Sequence, residues 1–212
     1  MIDSLSIILI AVGSYLYGSI PFGYLIALVL RKIDIREKGS GNIGATNITR
    51  ILGIQWGILA FILDASKALL PFITASILFP AMAYQYRDVL LLLVGFSVIG
   101  HDFSIFLHFK GGKGMSTLLG LMLIFDFQIA LLMVVVWIVV LLITGYVSLA
   151  SLLAVFFMLV WMCIFQPQIW IILFAVVITL VTFWQHRENI KRLLSHTEKV
   201  MFKYNFLGNK NG

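Results

Sequence analysis

Three polar segments interrupt an otherwise apolar chain, and each collects residue types suited to holding phosphate. The first is Gly39-Ser40-Gly41-Asn42-Ile43-Gly44-Ala45-Thr46-Asn47-Ile48-Thr49-Arg50. The second is His108-Phe109-Lys110-Gly111-Gly112-Lys113-Gly114, and the third is His186-Arg187-Glu188-Asn189-Ile190-Lys191-Arg192. Glycines let backbone N–H groups approach an anion without Cβ obstruction, and Lys113 adds a point charge for a phosphate oxygen. Ser40, Asn42, Thr46, Asn47 and Arg50 supply hydroxyl, amide and guanidinium groups. Thr46 and Arg50, at i, i+4, share one face of a helix that starts near Asn42. His186 and Asn189 stand at i, i+3, and a histidine that titrates near neutrality can move a proton. His101 is a second candidate, and Ser148 and Ser151 begin a later span on the same side. Together the segments suggest one anionic-ligand site assembled at one membrane face.

Two nucleotide motifs are matched in letter only. Gly39, Gly41 and Gly44 spell Gly-x-Gly-x-x-Gly with Asp64 downstream, but a charged loop precedes them and Asp64 lies inside an apolar run. Gly112-Lys113 lacks the upstream glycine of a phosphate-binding NTPase loop, because Leu107 stands there, and Gly114 replaces the hydroxyl residue. No Gly-x-Ser-x-Gly elbow or hydrolase-type carboxylate pair is present. Cys163 is the only cysteine, so neither a disulfide framework nor a thiolate metal site is expected, and no cofactor or metal is implied.

The elements that must position these groups are membrane spans. Hydrophobic residues make up 61% of the 212 residues and charged residues 11%, against about 45–50% and about 25% in soluble domains. Mean hydropathy is +1.06. A single all-α transmembrane domain over residues 1–212 is expected, a polytopic helical bundle whose chemistry is done by loops and helix ends. The amino terminus lacks the basic region of a cleaved signal, so the first apolar run reads as a retained span.

Leu5 to Leu30 forms the first span, bent near Gly18-Ser19-Ile20-Pro21-Phe22-Gly23; Ile54 to Phe79 forms the second and Val89 to Leu107 the third. The nearly continuous apolar run from Met115 to Trp184 is divided at Asp126-Phe127-Gln128, Thr144-Gly145-Tyr146 and Gln166-Pro167-Gln168. Basic residues collect at Arg31, Lys32, Arg36, Lys38 and Arg50, at Lys110 and Lys113, and at Arg187, Lys191, Arg192, Lys199, Lys203 and Lys210. The positive-inside rule puts all three clusters in the cytoplasm. Seven spans, with the amino terminus outside and the carboxyl terminus cytoplasmic, satisfy this parity. Five spans are the alternative, at the cost of leaving Gly145 or Gln166-Pro167-Gln168 in lipid. Asp64 and Lys67, an i, i+3 pair within the second span, each name the other as partner.

The motifs also resemble a known family. Gly18-Ser19-Ile20-Pro21-Phe22-Gly23, Asp34-Ile35-Arg36 and Gly39 to Asn47 are similar to the first signature of bacterial acyl-phosphate:glycerol-3-phosphate acyltransferases. Gly100-His101 with Phe109 to Gly114 resembles the second, and His186 to Ile190 with Arg192-Leu193-Leu194 the third. The match runs in order along nearly the whole chain, and the Asp64 and Lys67 pair resembles a family feature. His196 and Ala68 stand where glycines are usual.

The resemblance implies transfer of a fatty acyl group from acyl phosphate to the sn-1 hydroxyl of glycerol 3-phosphate. The products would be lysophosphatidic acid and inorganic phosphate, at the cytoplasmic face of the cell inner membrane. Gly111, Gly112 and Lys113, with Thr46, are assigned to the donor phosphate. Ser40, Asn42, Arg50, His186 and Asn189 are assigned to glycerol 3-phosphate, with Lys113 shared, Ser151 near both and Lys67 among the substrate-binding groups. His186, Asn189, Lys113 and Ser151 form the catalytic set; the hydroxyl proton goes either to His186 or to a substrate phosphate oxygen. The implied partners are the two substrates and membrane lipids, with no nucleic acid and no obligate protein partner. A transporter for a phosphorylated solute is the competing class, but no internal repeat is visible and only Asp64 and Lys67 lie deep. An acyltransferase drawing on acyl-carrier protein or coenzyme A is a second alternative.

Overall fold

The computed structural model describes residues 3–201, and every element among them is helical. Met1, Ile2, Lys203 and Lys210 lie outside the described residues. The chain divides into two compact units, Met1–Ala130 and Leu131–Gly212.

In the first unit, α1 (Ser4–Ser19) opens with the Asp3 carboxylate accepting the Ser6 N–H, a side-chain N-cap. Ile20-Pro21 separates it from α2 (Phe22–Arg31), because proline removes a backbone donor; the bend expected there is this break. A 3-10 turn at Ile35–Glu37 leads through the first polar segment to α3 (Ala45–Leu52), and Gly53, at φ 101°, turns the chain into α4 (Ile54–Leu78). The stretch between the expected second and third spans, Pro80 to Asp88, is partly helical. Pro80 sits at the first position of α5 (Pro80–Gln85), where its missing N–H costs nothing. The third span is α6 (Arg87–Val94), α7 (Phe96–Asp102) and a 3-10 turn at Ile105–Leu107; α8 (Met115–Phe125) follows the second polar segment.

Small residues let these helices meet backbone to backbone. Gly18 of α1 lies on the Ser97 backbone, and Gly100 of α7 on the backbone of Tyr15 and Ser19, so a side chain at either glycine would collide. The Tyr15 hydroxyl donates to the Phe103 carbonyl at 2.9 Å. Under the first polar segment, Ala27, Ile35, Ile43, Ile48, Ala60 and Leu107 form one apolar cluster. It seats α3 and its preceding loop on α2 and α4.

In the second unit, α9 (Phe127–Thr144), which starts four residues before the unit boundary, leads into α10 (Val147–Phe165), α11 (Ile169–Gln185) and α12 (Arg187–Leu194). The turns fall at the three expected breaks. Gly145 takes φ 74°, and its carbonyl accepts the Met201 N–H, which pins the end of the described chain to the α9–α10 turn.

Among the described residues, five helical stretches are long and apolar enough to cross a membrane: Ser4–Arg31, Ile54–Leu78, Arg87–Leu107, Phe127–Thr144 and Val147–Phe165. α11 with α12 makes a sixth candidate, bent by 60°, while α8 is a shorter apolar helix. Large apolar side chains such as Val29, Ile77, Ile143 and Leu180 are more than 60% exposed, a surface suited to lipid and not to water. The protein is a multi-pass membrane protein.

Candidate functional site

The first polar segment is organised by Asn47, 1% exposed at the start of α3. Its Oδ1 accepts the Ser40 N–H at 2.9 Å; its Nδ2 donates to the Lys38 carbonyl at 3.0 Å and the Asn42 carbonyl at 2.9 Å. One amide therefore closes the Lys38-to-Asn42 loop. Gly39, at φ 62°, fits against that amide, and a side chain there would strike Asn47 Oδ1. Asn42 Oδ1 accepts the Gly44 N–H at 2.7 Å, an Asx turn one residue ahead of α3. Ser40 is exposed, Asn42 and Thr46 are half-buried, and Arg50 is exposed in the last turn of α3. On the same unit, Asp34 and Arg36 form an exposed pair at 2.6 Å; the hydrogen bond from Arg36 holds the Asp34 carboxyl below its usual range.

The second polar segment differs from the sequence expectation in where its N–H groups point. The Gly111 N–H donates to the Asp102 carbonyl at 3.1 Å, and the Gly112 N–H to the His101 carbonyl at 2.9 Å. Both donors expected to face a phosphate are thus used to fold the loop back onto the end of α7. The glycines are needed for close approach. A side chain at Gly111 would hit the His101 and Asp102 backbone, and one at Gly112 the His101 ring. Gly114 takes φ 66° and ends the loop at the N-terminus of α8. The half-buried Lys113 stands beside that helix end, where the helix dipole favours an anion.

Beneath the loop lies a buried charge cluster that α4 and α7 bring together. Lys67 Nζ is 2.8 Å from Asp64 Oδ1 and 2.9 Å from His101 Nδ1, and all three residues are at most 3% exposed. The Phe22 ring lies 5.3 Å from Nζ. Thr117 of α8 donates to the Asp64 carbonyl at 2.9 Å. The Asp64 and Lys67 pairing read from the sequence is present. Lys67, expected among the substrate-binding groups, has its ammonium in this cluster.

In the second unit, His186 occupies the break between α11 and α12, where the chain bends by 60°. Its Nδ1 lies 2.8 Å from the Thr182 carbonyl. A carbonyl only accepts, so Nδ1 carries a proton and the lone pair of the neutral ring is on Nε2. Asn189, one turn along α12, donates to Glu198 Oε1 at 2.6 Å. Ser148 Oγ donates to the same oxygen at 2.8 Å, and Arg192 Nε to Oε2 at 2.7 Å. Ser151, 3% exposed, accepts from Trp137 Nε1 at 3.3 Å.

Three organising residues escaped the sequence reading as such: Asn47, His101 as a floor for the glycine loop, and Glu198. Asn47 and His101 had a signal, since Asn47 lies within the first polar segment and His101 follows Gly100. Glu198 had none, because its partners Ser148 and Asn189 are set by helix packing.

A family model described as glycerol-3-phosphate acyltransferase matches residues 8–196. The chain is 38% identical over 192 residues to the glycerol-3-phosphate acyltransferase of Desulforamulus reducens, covering 90% of this chain and 93% of that protein. It is 38% identical over 190 residues to that of Aquifex aeolicus, covering 89% and 96%. The crystal structure of PlsY (YgiH), an integral membrane glycerol 3-phosphate acyltransferase, in its glycerol 3-phosphate form matches with a TM-score of 0.83 at 38% identity, covering 93% of this chain and 96% of that one.

Proposed function

The chain belongs to the glycerol-3-phosphate acyltransferase family, and from that premise we propose an acyl transfer in which acyl phosphate is the donor. It is an acyltransferase that converts glycerol 3-phosphate to lysophosphatidic acid, the first acylation of phospholipid synthesis. The single observation that carries the donor assignment is the Phe109-to-Gly114 loop. It is a glycine turn with a lysine, held by backbone hydrogen bonds to the end of α7 and leading into the N-terminus of α8.

Acyl phosphate is already activated, so the protein has mainly to position reactants and stabilise charge. The sn-1 hydroxyl oxygen attacks the acyl carbonyl carbon, the bond from that carbon to the phosphate oxygen breaks, and phosphate leaves. Lys113 and the α8 N-terminus hold the departing phosphate, with Gly111 and Gly112 shaping the loop and Thr46 assisting. Ser40, Asn42 and Arg50 bind glycerol 3-phosphate, Asn189 orients it, and Ser151 supports the same set. His186 takes the hydroxyl proton on Nε2, a role supported by its Nδ1 hydrogen bond to Thr182. Lys67 contributes from below the loop.

The topology we propose has seven crossings, counting α8 and the bent α11–α12 pair as short ones. The amino terminus lies outside, and the basic clusters and the chemistry face the cytoplasm at the inner membrane. The enzyme needs no protein partner. The test is phosphate release by the purified protein given acyl phosphate and glycerol 3-phosphate, alone and together. Release is expected only with both, and acyl coenzyme A or acylated carrier protein should not replace the donor. Release without the acceptor, or equal turnover with the other donors, overturns the assignment.

A further inference from the structure

We propose that Asp64, Lys67 and His101 are positioning residues for the acyl-phosphate loop, with His101 as the part that touches it. The inference deepens the reading above and rests on its assignment of that loop to the donor phosphate. Lys67 is held from two sides, by an ion pair with Asp64 Oδ1 at 2.8 Å and by a hydrogen bond to His101 Nδ1 at 2.9 Å. An ammonium only donates, so Nδ1 accepts and the ring proton sits on Nε2. Nε2 is the atom that packs on Gly112, at the place where any larger residue would put its Cβ. The His101 carbonyl also takes the Gly112 N–H, and the next carbonyl, of Asp102, takes that of Gly111.

The loop is therefore gripped by both the backbone and the ring of His101, and the ring's angle is set by Lys67. Asp64 fixes Lys67 in turn, and the Thr117 hydroxyl ties the Asp64 carbonyl to α8, the helix that the loop enters. Every partner in this chain is buried, so water cannot substitute for a missing one. A shift of the ring moves the loop and, with it, Lys113 against the α8 N-terminus. The cluster has no need to contact substrate.

The test compares His101→Asn with Lys113→Ala in the full-length protein. Asparagine keeps an acceptor for Lys67 but withdraws the ring from Gly112. His101→Asn is expected to raise the KM for a long-chain acyl phosphate about tenfold while leaving the KM for glycerol 3-phosphate within about twofold. Equal rises in both KM values, or none, overturn the proposal. Lys113→Ala separates the two ideas. If it leaves the donor KM unchanged, the loop reading itself fails; if it raises that KM while His101→Asn does not, only the positioning role fails.

A second measurement needs no variant. In the native protein with labelled histidine, nitrogen NMR should show the Nε2–H tautomer for His101 and a shift of its signal on adding a non-hydrolysable acyl phosphonate. The Nδ1–H tautomer, or a signal indifferent to the phosphonate, overturns the proposal.

Discussion

Glu198 Oε1 accepts a hydrogen bond from Asn189 Nδ2 at 2.6 Å, which joins the segment after α12 to an amide assigned to the reaction. The same carboxylate takes Ser148 and Arg192. Its removal leaves three donors without their acceptor. Glu198→Ala is expected to cost about 3 kcal/mol of stability and to lower turnover at least about tenfold, because Asn189 loses its orientation. Thermal unfolding in detergent and initial rates check both; a variant as stable and active as the native protein would sink the clamp.

The same residue makes stability depend on pH in one direction. Burial pushes the Glu198 carboxyl upward, but hydrogen bonds from Asn189, Arg192 and Ser148, with the Arg192 charge, outweigh it and hold the group below its usual range. A lowered folded-state pKa contributes stability that is fully present above the unfolded value, about 4.3 for glutamate. That stability is lost as pH falls through the folded value. The gap in unfolding midpoint between the native protein and Glu198→Gln should therefore be constant near neutrality and close on acidification below about pH 4. A gap that widens with acid contradicts the assignment.

Lys67→Met leaves Asp64 buried beside no ammonium. Breaking a buried pair in this way costs about 3–5 kcal/mol, whereas the double variant Asp64→Asn/Lys67→Met should cost clearly less than the two single changes summed. The three unfolding free energies, measured in one detergent, decide. Strict additivity would mean that the two groups do not depend on each other.

Gly112→Ala places a methyl group against the His101 ring and is expected to reduce turnover at least about tenfold. Shortening the obstacle should help. In the background of His101→Ala, the further loss caused by Gly112→Ala is expected to shrink, and initial rates of the four proteins give the comparison. An undiminished penalty would place the obstacle elsewhere.

Asn47→Ala removes the amide that closes the loop between Lys38 and Asn42. A cost of about 2–3 kcal/mol is expected from the lost bonds. The KM for glycerol 3-phosphate should rise more than that for the donor, because Ser40 and Asn42 lose their frame. Steady-state kinetics with each substrate varied in turn reads this, and a rise confined to the donor would contradict it.

Much of the architecture was legible because its causes are local. Pro21 removes a donor and breaks the first span; Gly145 and Gln166-Pro167-Gln168 end helices by their own backbone preferences. The exception at Pro80–Gln85 has a local cause too, since a proline that breaks a helix interior also starts a helix well. The Asp64 and Lys67 pair was legible because i, i+3 spacing alone brings two side chains to one helix face.

The amino-acid order by itself determined the helical membrane architecture, the three polar segments and the residue types offered to phosphate, since hydropathy, turn chemistry and charge act over a few residues. Tertiary structure decided what those residues are occupied with. The Gly111 and Gly112 N–H groups look available in a string of letters, and only the return of the loop onto α7 gives them carbonyl partners. Lys67 reads as the partner of Asp64 alone until α7 supplies His101 as a second one. Glu198 is unremarkable until packing brings Ser148, fifty residues away, within 2.8 Å. A backbone or side-chain donor can be spent by a partner anywhere in the chain, so its availability is a property of the packed molecule and not of its neighbours in sequence.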